Sequence, residues 1–241
     1  MLAIGIFCVS EKHIWHWDWS YGFHAGYNCQ PVKDINGRKV EAWRWVEGRE
    51  IRLYVPDDMS PTRVDHTAEG IRSLVRDLNL DLHLRVLPLD SRTLAALQRS
   101  SQGTGRDYTI SFNRLCRNLI ATRTGQYAEV IVVKCILDGA ADTMGMANFT
   151  YGVSLIDERC ACGPLARHET GHLLGYHMHD NLPFIVFGYS NPQWGKIRQG
   201  KESSLMMPAP DSTVLSARSR DALLSFWESL SRRTGQSYFR Q

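Results

Sequence analysis

Long apolar runs, internal repeats and low-complexity segments are all missing from this 241-residue sequence. No stretch approaches the roughly 20 consecutive apolar residues that a membrane-spanning helix requires, so we expect no membrane partner. The opening segment Met1–Ser10 is apolar but lacks the basic region and the small-residue cleavage site of a secretory signal. We therefore expect this segment to form a first buried strand, and the protein to be cytoplasmic.

Charge of one sign is also scarce, since 28 Lys and Arg residues against 25 Asp and Glu residues give a formal net charge of +3. Basic residues recur at Arg114, Arg117 and Arg123, but a solvated helix face explains them and no recognition motif accompanies them, so we expect no nucleic-acid partner. The six cysteines do not have the spacing of a disulfide framework. These absences leave a globular protein whose function has to be sought in short motifs.

Strands interleaved with long helices predict an α/β fold with a mostly parallel sheet. Alternating apolar residues around Glu47-Gly48 predict a β-hairpin between 40–46 and 49–55. Apolar residues at helical spacing predict an amphipathic helix and a C-terminal helix that opens around Ser216. The full prediction has strands at 49–55, 82–87, 130–137 and 148–157 and helices at 61–78, about 109–122 and from 216.

One short segment carries a metal-binding motif. His168 and His172 are four residues apart, so on a helix their imidazoles lie one above the other on the same face. Two such nitrogens can reach one Zn²⁺ at about 2.0–2.1 Å. Glu169 is the next residue around the helix, where it can accept a proton from an attacking water. The pattern predicts a zinc hydrolase with Glu169 as general base.

A third ligand is expected just beyond this helix. Gly175 lies three residues after His172, at a position where helices commonly end on a left-handed residue. His177 and His179 follow at once. A chain that turns back at the glycine can bring either of these histidines to the metal.

The segment resembles the signature of the metzincins, His-Glu-x-x-His-x-x-Gly-x-x-His. Ser204–Pro208 is similar to the methionine-containing turn of that family, and the match places Met206 beneath the metal as a packing floor. The family's spacing puts the third ligand at Met178, whose thioether is a poor zinc ligand beside imidazole. We therefore expect His179 to bind if the turn holds one extra residue, with His177 as the alternative if it holds one fewer.

The resemblance implies a zincin-like α/β fold: a twisted, mostly parallel sheet with an antiparallel edge strand, a long active-site helix and a small helical C-terminal subdomain. It implies a zinc-dependent endopeptidase that acts on peptide or protein substrates. We expect an aromatic-rich N-terminal extension at 1–48 and a catalytic domain at 49–241, divided into an upper subdomain 49–175 and a lower subdomain 176–241. Archaemetzincins are compact possible relatives, but they typically have cysteines downstream of the zinc motif, and this chain has none after Cys162.

Two details of the site are expected from the same reasoning. The predicted strand 148–157 directly precedes the zinc helix, so it is the candidate edge to which an extended peptide would add. The hydroxyls of Tyr176 and Tyr189 are candidates for a donor near the oxyanion.

Two other functions compete with the metzincin reading. In a gluzincin-type hydrolase, a downstream glutamate such as Glu202 or Glu228 would supply the third ligand. In a non-catalytic module, zinc would be structural and the aromatic cluster at 13–27 would grip a partner. Glu169 argues against the second alternative, because a structural site needs four ligands and no base.

Overall fold

The structure is a computed structural model that describes residues 31–102, 109–134, 136–137, 144–176 and 214–241. The predicted first strand at 1–10 and the aromatic cluster at 13–27 lie outside these residues. The strands are β1 (Val32–Lys33), β2 (Lys39–Val40), β3 (Glu50–Val55), β4 (His83–Pro88), β5 (Ser101–Gln102), β6 (Thr109–Ile110), β7 (Ala128–Val133), β8 (Ile136–Leu137), β9 (Gly145–Asn148) and β10 (Val153–Asp157). The α-helices are α1 (Pro61–Asp77), α2 (Ser91–Ser100), α3 (Phe112–Thr122), α4 (Gly163–Leu173) and α5 (Ala217–Thr234).

A five-stranded sheet in the order β4-β3-β7-β10-β9 forms the centre of the fold. The first four strands run parallel, and β9 pairs antiparallel with β10 at the edge. Every residue of β7 is buried, as expected of a β-branched strand covered on both faces. The predicted α/β class, with a mostly parallel sheet and an antiparallel edge strand, is confirmed.

Helices cover both faces of this sheet and produce two hydrophobic clusters. Neighbouring residues of β3 show the alternation, because Leu53 belongs to one cluster and Tyr54 to the other. The first cluster contains buried residues of α1, α4 and α5, and the second contains those of α2 and α3. No helix within the described ranges is long and apolar enough to cross a membrane.

Helices α1 and α4 approach closely because glycines meet at their crossing. A Cβ on Gly70 would lie 3.0 Å from the carbonyl carbon of Gly163 and closer still to its oxygen. Arg167 of α4 is buried, donates a 2.7 Å hydrogen bond to Ser73 Oγ, and forms an ion pair with Asp77. These contacts fix α4, the helix that carries the predicted metal-binding motif, against α1.

The predicted hairpin between 40–46 and 49–55 is wrong in its first half. Residues Ala42–Gly48 form a 3₁₀-helix, Val40 belongs to the short strand β2, and the second half is the strand β3. Ala42, Trp45 and Val46 are the buried residues of this segment, which is helical spacing rather than alternation. Trp45 packs in the same core as α1 and α4, and its Nε1 donates to the Phe149 carbonyl at 2.8 Å.

The predicted strand 148–157 is also wrong, since it spans two antiparallel strands and the turn between them. Gly152 has a φ of +62°, and its N–H donates to the Phe149 carbonyl at 2.9 Å. The edge strand is consequently β9, whereas β10 lies inside the sheet between β7 and β9. The predicted strand 130–137 likewise ends at Val133, because Ile136–Leu137 pairs with β6 in a separate sheet.

The predicted helices are confirmed with small shifts. The helix predicted at 61–78 is α1, and the helix predicted at about 109–122 begins only at Phe112. The C-terminal helix α5 begins after Ser216, whose side chain accepts a 3.0 Å hydrogen bond from the Ser219 N–H. Its predicted apolar stripe lies in the first hydrophobic cluster and consists of Leu223, Phe226, Trp227 and Leu230.

Candidate metal centre

The predicted metal-binding motif lies on α4, the helix that follows the sheet strand β10. The helix begins after Cys162 and has a proline in its first turn, where a missing N–H costs nothing. His168 is only 3% exposed and Glu169 only 4%. Ionisable side chains are seldom this buried unless they pair with a polar or charged group or bind a metal ion.

The two histidine rings converge. His168 Nε2 and His172 Nε2 are 3.0 Å apart, with ring centroids 4.6 Å apart and planes at 87°. Two nitrogens that bind one tetrahedral zinc ion at 2.0–2.1 Å would be about 3.3 Å apart. The observed separation therefore fits two ligands that point at one small cation.

The turn after the helix places a hydrogen-bond acceptor against His172. The Gly175 N–H donates to the His172 carbonyl and the Tyr176 N–H to the Gly171 carbonyl, both at 3.0 Å, which is a Schellman motif. Gly175 has a φ of +112°, as expected for the residue after the C-cap. The turn brings the Tyr176 carbonyl oxygen to 2.5 Å from His172 Nδ1.

This contact determines which nitrogen of His172 carries the proton. A carbonyl oxygen can only accept, so Nδ1 must be the donor. In the neutral ring, Nε2 then keeps its lone pair, which is the tautomer that a metal-binding imidazole needs. The sequence motif gives no sign of the Tyr176 carbonyl, although Gly175 signals the turn that positions it. The Tyr176 side chain is 6% exposed and packs in the first hydrophobic cluster.

The Glu169 carboxyl is sealed between α4 and the edge strand β9. Burial raises its pKa to about 8, because a charged carboxylate loses its hydration there. Its Oε2 has no hydrogen-bond partner among the described residues. A water molecule and a nearby cation would each stabilise the ionised form of this buried carboxyl.

A second buried carboxyl provides a contrast. Glu129 on β7 is fully buried, and burial opposes its ionisation, yet its pKa lies below the ordinary value because Arg123 and Arg92 are beside it. Arg92 Nη1 lies 2.5 Å from Oε1 and Arg123 Nη2 lies 2.9 Å from Oε2. Glu129 is thus neutralised within the core, whereas no arginine or lysine performs this role for Glu169 among its described contacts.

The other predicted site residues are not placed. Five of them lie outside the described residues: His177, His179, Tyr189, Met206 and the alternative ligand Glu202. Within the ranges that the structure does describe, no group of three His, Cys, Asp or Glu residues could hold a metal ion. Glu228 is exposed on α5 and completes no such group with the two histidines. The described part of the site therefore contains two converging imidazole nitrogens and one buried carboxyl.

Residues of α5 also hold the C-terminal end of α4 in place. Trp227 is fully buried and its Nε1 donates a 3.0 Å hydrogen bond to the carbonyl of Leu174, the C-cap of α4. The Phe226 ring lies against Gly175. Imidazole nitrogens held this firmly, with a carboxyl beside them, form a donor set that fits zinc.

Replacing Gly175 by alanine is expected to weaken both folding and zinc binding. The new Cβ would lie 2.9 Å from Phe226 Cε1, and the φ of +112° is strained for alanine. We expect the free energy of unfolding to fall by about 1–3 kcal/mol. We expect zinc affinity to fall about 10–100-fold, because the Tyr176 carbonyl would move away from His172. Calorimetric titration of the metal-free protein measures the affinity.

Gly235→Ala is the matched control, since Gly235 also has a positive φ, +69°, but nothing lies within 4 Å of its added Cβ. This variant should have the backbone strain alone and bind zinc like the parent. Equal zinc affinities in both variants would contradict the role given to the turn.

No protein-family model matches the sequence, and no curated protein sequence matches it. Among solved structures, the archaemetzincin of Methanopyrus kandleri is 14% identical with a TM-score of 0.46, over 73% of this chain and 93% of that one. The archaemetzincin of Archaeoglobus fulgidus is 15% identical with a TM-score of 0.44, over 72% and 99%. A zinc-dependent peptidase of Methanocorpusculum labreanum is 12% identical with a TM-score of 0.40, also over 72% and 99%. At these low identities and TM-scores, the function of this chain has to be derived from its own residues.

Proposed function

We propose that this protein is a zinc-dependent peptidase of the metzincin type. The observation that carries the proposal is the convergence of His168 Nε2 and His172 Nε2, which lie 3.0 Å apart on α4, next to the buried carboxyl of Glu169. His179 beyond the Gly175 turn is the proposed third ligand, and His177 is its alternative. Met206 is proposed to lie beneath the metal as an apolar floor.

His168, His172 and the proposed third ligand His179 would hold a zinc ion, which when bound would supply Lewis-acid chemistry and lower the pKa of water toward neutrality. Glu169 accepts a proton as water attacks the peptide carbonyl and then delivers that proton to the leaving amine. The tight burial of Glu169 supports this role, since a carboxyl with a raised pKa releases and regains a proton near neutral pH. The Tyr176 carbonyl keeps His172 in the required orientation.

The substrate is proposed to lie as an extended peptide along β9. This strand pairs with β10 on one side, and no described strand pairs with its other side. An edge strand offers unpaired backbone groups to which a peptide can add by hydrogen bonding. Gly145 of β9 lies against the Glu169 side chain, so a peptide on this edge would pass close to the proposed base.

The domain organisation is part of the proposal. The catalytic domain is proposed to span 49–241, with an upper subdomain 49–175, a small helical lower subdomain 176–241 and an extension at 1–48. The 3₁₀-helix that carries Trp45 would then be the part of the extension that anchors it in the catalytic core.

The proposal is tested by measuring zinc in the purified protein and cleavage of a peptide library with and without a chelator. We expect about one zinc ion per chain, and cleavage that a chelator abolishes and added zinc restores. Stoichiometric zinc without any cleavage would favour the non-catalytic module, and cleavage that a chelator leaves unchanged would contradict the peptidase mechanism.

Replacing His179 by alanine is expected to lower zinc affinity more than 100-fold, because it removes a ligand rather than a supporting group. His177→Ala should retain zinc. His83→Ala is the control, since this exposed histidine lies on β4 at the opposite edge of the sheet. The measurement is competition with a chromogenic chelator. Loss of zinc in His177→Ala alone would assign His177 as the ligand, and retention in both variants would point to Glu202 and a gluzincin-type site.

A further inference from the structure

Gly145, the first residue of the edge strand β9, lies against the side chain of Glu169. A Cβ on Gly145 would be 2.5 Å from Glu169 Cδ and 2.6 Å from Cγ, and closer still to Oε1. Real Cβ atoms essentially never approach heavy atoms to less than 3.0 Å. The carboxyl therefore occupies the space that any side chain at position 145 would need.

The backbone conformation of Gly145 does not require glycine. Its φ lies outside the positive range that the described glycines 37, 152, 175 and 235 occupy. Alanine could adopt the same extended conformation, so the reason for glycine here is the space it leaves.

The strand cannot easily retreat from an added methyl group. Gly145 pairs with Ile156 in the antiparallel ladder, and the carbonyl of the preceding Met144 accepts a 2.9 Å hydrogen bond from the Asp157 N–H. On the other side, α4 is fixed by the contacts of Arg167 with α1. Since both backbones are held, the side chain of Glu169 is the part that would move.

We propose that Gly145 is a positioning residue for Glu169. Because glycine has no side chain, it leaves the space that the Glu169 carboxyl occupies, and this space sets the position of the carboxyl relative to His168 and His172. This inference rests on the proposed peptidase function for its catalytic consequence, whereas its geometric part concerns packing alone.

The geometric part is tested in metal-free protein by thermal unfolding. Gly145→Ala should lower Tm by roughly 2–10 °C, because it overpacks a sealed space. The same change in a Glu169→Ala background should lower Tm much less, since the new methyl group then fills the space left by the glutamate. Equal effects in the two backgrounds would overturn the inference, because they would mean that position 145 and Glu169 are not coupled.

The catalytic part is tested by kinetics of the zinc-loaded protein. A displacement of about 1 Å can cost about 100-fold, so kcat of Gly145→Ala should fall about 100-fold while KM and bound zinc stay within twofold. In a Glu169→Gln background, Gly145→Ala should cause no further loss. Gly125→Ala is the control, since its added Cβ would meet only the Tyr127 ring, at 3.2 Å.

A Gly145→Ala variant with the parent's kcat would overturn the inference. So would a double variant, Gly145→Ala with Glu169→Gln, in which the losses in kcat of the two single variants multiply. The unfolding experiment needs no catalysis. If the effects of Gly145→Ala and Glu169→Ala on Tm are coupled but the parent cleaves no peptide, the placement of the carboxyl is supported and the proposed function is overturned.

Discussion

Replacing Glu169 by glutamine is expected to lower kcat/KM for peptide hydrolysis by about 10²–10⁴-fold. The amide has nearly the same shape as the carboxyl but cannot accept a proton from water. The Glu169 carboxyl is buried, and its Oε2 has no hydrogen-bond partner among the described residues. Cleavage of a fluorogenic peptide under kcat/KM conditions measures the loss.

The same variant should bind zinc like the parent, because Glu169 is proposed as a base and not as a ligand. It should also unfold at an equal or higher temperature, because burying an uncharged amide costs less free energy than burying a carboxyl, which is ionised in water at neutral pH. Glu69→Gln is the control, since Glu69 is an exposed glutamate of α1 paired with Arg76. Full activity in Glu169→Gln would rule out the mechanism, whereas loss of both zinc and activity would make Glu169 a metal ligand.

Local patterns were sufficient to predict the parallel sheet and the convergence of the two histidines. The strand β7 and the helix α1 follow from continuous and helical hydrophobic spacing, which are properties of a single segment. The pair His168 and His172 is similar, because one helical turn fixes the relative position of its members. No knowledge of the rest of the chain was needed for either.

The wrong predictions concern segments whose local sequence pattern fits two conformations, so that tertiary contacts decide which one forms. Ala42, Trp45 and Val46 were read as part of an alternating strand, but Trp45 enters the core beneath Phe149 and the segment is a 3₁₀-helix. The apolar run 148–157 conceals a turn whose signal is Gly152, at φ +62°. Each segment satisfies its apolar pattern in either conformation, so packing against distant residues decides.

Two features of the site depend on contacts that no short pattern contains. The Tyr176 carbonyl contributes backbone rather than a side chain, and only the geometry of the Gly175 turn places it on His172. Gly145 and Glu169 meet across the boundary between the sheet and α4. In both cases the motif supplies the chemistry, whereas the surrounding fold supplies the orientation of each group.

Replacing His172 by alanine is expected to remove most of the stabilisation that zinc gives to the folded protein. A ligand that binds only the native state stabilises it by about 2.7 kcal/mol at 100 times its Kd and about 4.1 kcal/mol at 1,000 times. For a domain of this size, such a gain would raise Tm by about 5–16 °C. At 100 times the parent's Kd, the His172→Ala variant should keep at most about 0.4 kcal/mol of this gain, because we expect its zinc affinity to fall more than 100-fold.

The comparison is made by thermal unfolding of metal-free protein with and without excess zinc. His168→Ala should behave in the same way, since the two Nε2 atoms point at one location. His66→Ala is the control, because His66 is exposed on α1 and should leave the zinc-dependent rise unchanged. Any loss of stability in the metal-free variants is measured separately and does not affect the difference that zinc makes. A full zinc-dependent rise in both His168→Ala and His172→Ala would mean that the metal binds elsewhere, and the convergence of the two imidazoles would then be a hydrogen bond between neighbouring rings.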